Sequence, residues 1–263
     1  MRDDIRLYLR YVGVSVRGQM QYPASFIMLL IGHLLATGGE FLGIWALIHR
    51  FGSLRGWSLA EVGLLYGIVS IAFSISDATS RGFDAFAGML KRGDFDRVLL
   101  RPRSSALQLA GQELTMRRIG RLSQALAVLL WSASALGAIW SPIKAALVAG
   151  AILGGACLFF GLIVLQATTA FLTTESLEIF NTVTYGGVET AQFPLSIYRP
   201  WFRRFFTAVI PLAFVSYFPA LAILNRPAPP VLPWVAPLAG LIFLAIALRV
   251  WHFGVRHYCS TGS

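Results

Sequence analysis

The chain has 263 residues, 56% of them hydrophobic and only 13% charged, with a mean hydropathy of +0.67. A soluble domain carries roughly 25% charged residues, so about half of the polar coating that water demands is missing. That excludes a soluble enzyme, a disordered chain and, with Cys157 and Cys259 as the only cysteines, a secreted disulfide scaffold. The net charge of +10 comes from 20 Arg and two Lys against 12 acids. In a chain this apolar, such an excess reports membrane topology before it reports nucleic-acid affinity.

From the N-terminus, residues 1–22 read as a helix lying in the membrane interface. Ile5, Tyr8, Leu9, Val12 and Val16 share one arc of a helical wheel, and Arg6, Arg10 and Arg17 lie beside it. Crossing about 30 Å of hydrocarbon takes roughly 20 mostly apolar residues. Residues 24–48, 59–80, 119–140, 143–172 and 231–253 meet that requirement. Nine of the 22 basic residues fall in 81–121 and four more in the first 23, which places both segments in the cytoplasm. Arg50, Arg55 and Lys144 then face outward, and an even number of spans returns Arg249 and Arg256 to the cytoplasm.

The fifth crossing has two readings. Simple hydropathy selects 205–224, interrupted by Pro211 and Pro219. The wheel of 173–193 instead gathers Glu175, Glu178, Thr182, Tyr185 and Glu189 on one face, with Leu177, Phe180, Val188 and Ala191 opposite. An acid at mid-membrane costs roughly 2.5–3.5 kcal/mol, so that stripe needs a wet cavity, a partner helix or the cytoplasm. If both segments crossed fully, the basic tail would lie outside, so one of them is re-entrant or superficial.

Motifs for independent chemistry are missing from the sequence. There is no Gly-x-x-x-x-Gly-Lys-Ser/Thr phosphate loop, no His-Glu-x-x-His zinc pair and no Gly-x-Ser-x-Gly elbow. His33 and Glu40, two turns apart on one face, suit a proton relay in a secondary transporter, an interhelical hydrogen bond or a water-facing position near the outer end. Gly150, Ala151, Gly154 and Gly155 form a small-residue face for close helix packing.

Residues 82–102 read GFDAFAGMLKRGDFDRVLLRP. Gly82 and Gly93 bracket a short amphipathic stretch. Asp94 is a plausible N-cap for a second turn that Pro102 stops. A short crosswise helix of this kind transmits force when its apolar side seats in a groove of a soluble partner.

The order of an interfacial helix, two spans and a loop RGDFDRVLLRP resembles the permease subunits of type-2 ABC exporters. Most similar is the branch of roughly 260-residue permeases, whose signature 193–220, FPLSIYRPWFRRFFTAVIPLAFVSYFPA, resembles. The resemblance implies six transmembrane helices, both termini cytoplasmic, in a bacterial inner membrane. It implies an N-terminal elbow helix over 1–22, a coupling loop over 82–102, a fifth span over 173–193, and a re-entrant outer hairpin over 198–224. It further implies two copies of an ATPase that hold ATP and Mg, and a second permease, identical or paralogous. No cofactor or metal in this chain and no nucleic acid follow from it, and membrane lipid surrounds the whole.

Carried onto this sequence, Gly93, Asp94, Phe95, Asp96, Arg97, Val98, Leu99, Leu100, Arg101 and Pro102 form the ATPase-coupling element. Glu175, Glu178, Asn181, Tyr185 and Glu189 face the pathway or the dimer seam, where acids pair with Arg or meet an amphiphilic, lipid-like or drug-like substrate. Pro194, Tyr198, Pro200, Trp201, Pro211 and Pro219 shape the outer gate. One departure is charge: the hairpin puts Arg199, Arg203 and Arg204 outside, against the positive-inside tendency.

Overall fold

The computed structural model describes residues 21–111, 119–137, 140–173 and 178–259. The expected elbow helix therefore lies outside the described residues, save for its last two. The described chain is helical throughout, apart from turns and one isolated pairing of Leu54 with Trp57. Five long helices form the body: α1 (Pro23–Phe51), α2 (Leu59–Thr79), α7 (Ile119–Leu136), α8 (Pro142–Thr173) and α12 (Leu232–Arg256). Between α2 and α7 lie four short ones, α3 (Arg81–Asp84), α4 (Phe86–Lys91), α5 (Phe95–Leu99) and α6 (Ser105–Ala110). Between α8 and α12 lie α9 (Glu178–Ala191), α10 (Pro200–Ala208) and α11 (Tyr217–Ile223).

Among the described residues, α2, α7, α8 and α12 are long and apolar enough to cross a membrane singly. Residues 200–208 and 212–223 together form a further candidate, bent by 80°. At 1.5 Å per residue the 32 residues of α8 reach about 48 Å, well beyond the hydrocarbon thickness. The 14 residues of α9 reach only about 21 Å. The described part of 173–193 is thus too short to cross by itself.

Local chemistry explains the helix limits. α2 starts at a complete capping box: the Ser58 hydroxyl accepts from the Glu61 N–H at 3.3 Å, and the Glu61 carboxylate accepts from the Ser58 N–H at 2.7 Å. α4 ends at Gly93, whose φ of 71° lets Asp94 N–H reach back to the Met89 carbonyl. Asp94 does not cap α5 as its sequence position suggests. Its carboxylate is taken by Arg92 Nε at 3.0 Å, so the backbone of α5 goes without that bond.

α2 is apolar on every face and is accordingly enclosed, with Val62 through Ser74 all buried. It packs on α7 and α8, while α8 and α12 make the most extensive helix pair. The small-residue face of α8 allows this approach. A Cβ on Gly240 of α12 would collide with the Gly154 carbonyl, and one on Gly154 would stand 2.7 Å from Pro237 Cα.

The connections sort to two ends. One end holds the 52–58 turn, the start of α8 and both limbs of the bent segment. There Arg55 donates to the Ser196 carbonyl at 3.2 Å, Lys144 donates to the Ile223 carbonyl at 2.6 Å, and Arg226 pairs with Glu61. The middle of the bent segment dips inward, so that Val215 reaches Gly155 and Leu212 reaches Gly187. The opposite end holds α3 to α6 together with the end of α12.

Candidate functional site

At that opposite end, the 82–102 loop is fastened by rings. Phe83, Phe86, Phe95 and Trp251 are all buried, and Phe171 of α8 and Tyr258 join them. Phe86 meets Trp251 at 4.8 Å between centroids and Phe95 at 5.0 Å, both edge-on. Edge-to-face geometry places each ring's positive rim on its neighbour's negative face, which locks orientation as well as burying area. Polar ties complete the floor. The Trp251 indole donates to Ser105 Oγ at 3.1 Å, and Tyr258 donates to Asp96 Oδ1 at 3.1 Å. Gln108 donates to the Val98 and Arg103 carbonyls at 3.1 and 3.2 Å.

The ten residues expected to couple to a partner are divided by this floor. Phe95 points inward and is fully buried; Asp96 and Val98 are half-buried. Arg97, Leu99, Leu100, Arg101 and Pro102 are exposed, Leu100 at 85%. Two leucines and two arginines thus form the free side of an element whose other side is bolted to α8 and α12. Beside it, burial pushes the Asp84 carboxyl up to about 6, with the Arg81 guanidinium at 3.8 Å pulling the other way.

Of the acidic stripe, Glu175 and the Glu178 side chain lie outside the described residues. Asn181, Tyr185 and Glu189 share the exposed side of α9. Tyr185 sets its ring edge-on to Phe73 at 5.6 Å. Glu189 lies within electrostatic range of Glu40 and Arg121. Arg121 makes an ion pair with Glu40 at 3.6 Å and places its guanidinium 5.1 Å from the centroid of Phe73. Glu40 is therefore a partner in an interhelical charge pair linking α1 and α7. The His33 side chain lies outside the described residues. Next to the pair, Tyr66 and Gln124 both donate to the Thr37 carbonyl, at 3.3 and 2.8 Å.

The residues expected to shape an outer gate occupy the bent segment and its approach. Pro194 and Pro219 are buried, and Pro211 sits at the break after α10. Pro200 opens α10, where its missing N–H costs nothing. Tyr198 donates to the Thr190 carbonyl at 3.4 Å, and Trp201 is exposed.

Three features escape sequence reasoning. Trp251 is indistinguishable from any interfacial tryptophan until α12 places it under the loop. Arg226 looks like one more basic residue, yet its guanidinium holds both Glu61 oxygens at 2.8 and 2.9 Å and stacks 4.2 Å from the Trp57 ring centroid. Arg121 sits at the start of a span, where a wheel gives no hint of Glu40.

Comparison with known proteins identifies a family. A family model described as "ABC-2 family transporter protein" matches residues 34–262. No curated protein and no solved structure matches.

Proposed function

The chain belongs to the ABC-2 family of transporter proteins, and on that premise we propose that it is the permease of an ATP-binding cassette exporter driven by a separate ATPase. Membership makes it a multi-pass membrane component of an ABC transporter. The finer reading is that α1, α2, α7, α8, the 173–193 segment and α12 provide six spans, with both termini in the cytoplasm of a bacterial cell. The 198–224 segment is then a re-entrant hairpin on the outer side. Two copies of the permease, or this chain and a paralogue, stand on two ATPase subunits that hold ATP and Mg.

The observation that carries this reading is the mounted coupling element. Leu99 and Leu100 stand free between Arg97 and Arg101, while Phe95 of the same turn is fully buried against Trp251 and Phe171. An exposed aliphatic pair flanked by cations suits a partner groove with an acidic rim: the leucines supply affinity and the arginines register. Closure of the ATPase dimer pushes this element, and the aromatic floor passes the displacement to α8 and α12. The exposed side of α9 with Asn181, Tyr185 and Glu189 faces the pathway or the second permease. The cargo is a small amphiphilic, lipid-like or drug-like molecule.

The test is copurification of the full-length chain with its ATPase in detergent. Leu99→Asp with Leu100→Asp is expected to release the ATPase without lowering the yield of folded permease. Retention of the ATPase by that variant would remove the coupling assignment.

A further inference from the structure

Arg203 and Arg204, both exposed on the bent segment, border a cavity. Between α10 and α11 runs a groove of about 430 Å³ lined by Leu195, Pro200, Arg203, Arg204, Tyr217 and Phe218, among others. Its lining holds two arginines and no acid. α10 is strongly two-sided: Phe202, Phe205 and Phe206 pack toward the core, which turns Arg203 and Arg204 together onto the groove side. Neither guanidinium has a partner among the described residues, whereas Arg55, Lys144 and Arg226 at the same end are all engaged.

We propose that this groove binds an anionic phospholipid of the surrounding leaflet, its phosphate held by Arg203 and Arg204. Two unopposed cations at the mouth of a largely apolar cleft fit a phosphate carrying an apolar tail. Leu195, Tyr217 and Phe218 supply the apolar wall. Trp201 on α10 and Val209, just past its end, are further exposed apolar residues of this segment, outside the groove lining. The depth agrees with a headgroup site, because Tyr217 also touches Trp57 in the turn that closes this end of the bundle. Arg226 cannot serve instead, since Glu61 already neutralises it. The site depends on the chain lying in a bilayer and not on any coupling to ATP.

The test uses the full-length chain in nanodiscs of phosphatidylglycerol or phosphatidylcholine, with retained lipid counted by native mass spectrometry. Each interfacial arginine favours an anionic headgroup roughly fivefold, so the pair predicts a preference of about twenty-five-fold for phosphatidylglycerol. R203Q/R204Q is expected to abolish most of that preference while melting normally in phosphatidylcholine. Ala208→Trp, which fills the groove and keeps both charges, is expected to reduce it as well. Equal preference in wild type and R203Q/R204Q would overturn the site. Stabilisation of the detergent-solubilised chain by inorganic phosphate, equal to that given by the lipid, would overturn the assignment to a lipid.

Discussion

Arg226 and Glu61 are 165 residues apart in sequence and joined by a two-point ion pair, with Arg226 Nη2 2.8 Å from Glu61 Oε1. The same carboxylate closes the capping box of α2, and the same guanidinium donates to the Gly56 carbonyl at 2.7 Å. One contact therefore fixes the start of α2, the 52–58 turn and the return limb of the bent segment. Arg226→Ala is expected to lower stability by about 1–2 kcal/mol, because the partly buried Glu61 loses its counter-charge. Thermal melting in detergent of Arg226→Ala, Glu61→Ala and the double variant checks this. The account requires the two substitutions to be strongly non-additive.

Trp251 is the post on which the loop stands. Trp251→Ala is expected to cost roughly 3–5 kcal/mol by opening a cavity beneath Phe83, Phe86 and Phe95. Trp251→Phe keeps most of the volume and loses the bond to Ser105. In the proposed transporter it should bind the ATPase normally yet transport less per ATP hydrolysed. Transport and hydrolysis measured together in proteoliposomes separate the two effects.

The Asp84 carboxyl, with a folded pKa of about 6 against an ordinary 3.8, sets a pH dependence. Its neutral form is favoured in the fold, so the stability it contributes is complete below about pH 4. That contribution is lost as the pH rises through 6. The loss is on the order of 1–3 kcal/mol. Asp84→Asn is expected to flatten the decline in melting temperature between about pH 4 and pH 6, as melting curves across that range would reveal.

Glu40 and Arg121 form an interhelical pair, and charge logic distinguishes this from proton relay. Glu40→Gln is expected to keep transport, with stability lowered by about 1–2 kcal/mol. Arg121→Gln is expected to do more damage, since Glu40 and Glu189 then lose their common counter-charge. Exchanging the two, Glu40→Arg with Arg121→Glu, should recover part of the melting temperature.

What the sequence discloses depends on the range of the interaction. The long apolar helices are legible because about 20 apolar residues in a row have few other uses, and the Ser58–Glu61 capping box is a purely local signal. The small-residue face of α8 is legible for a similar reason, and the fold puts it against Ala236, Pro237 and Gly240. Asp94 misleads because Arg92, two residues away, competes for its carboxylate. The inward turn of Phe95, the Arg121–Glu40 pair and the Arg203–Arg204 groove depend on partners far along the chain, which periodicity does not encode. The acidic stripe is visible from the wheel, but the arginine within electrostatic range of Glu189 comes from α7.

The most direct measurement is site-specific cross-linking in native membranes, with a single cysteine placed at position 100 in a Cys157→Ser, Cys259→Ser background. A second chain carries its cysteine at position 201, exposed at the other end of the bundle. The account predicts a cross-link from position 100 to an ATP-binding subunit, and none from position 201. Cross-linking from position 201 with none from position 100, or transport by the chain reconstituted without any ATPase, would contradict it.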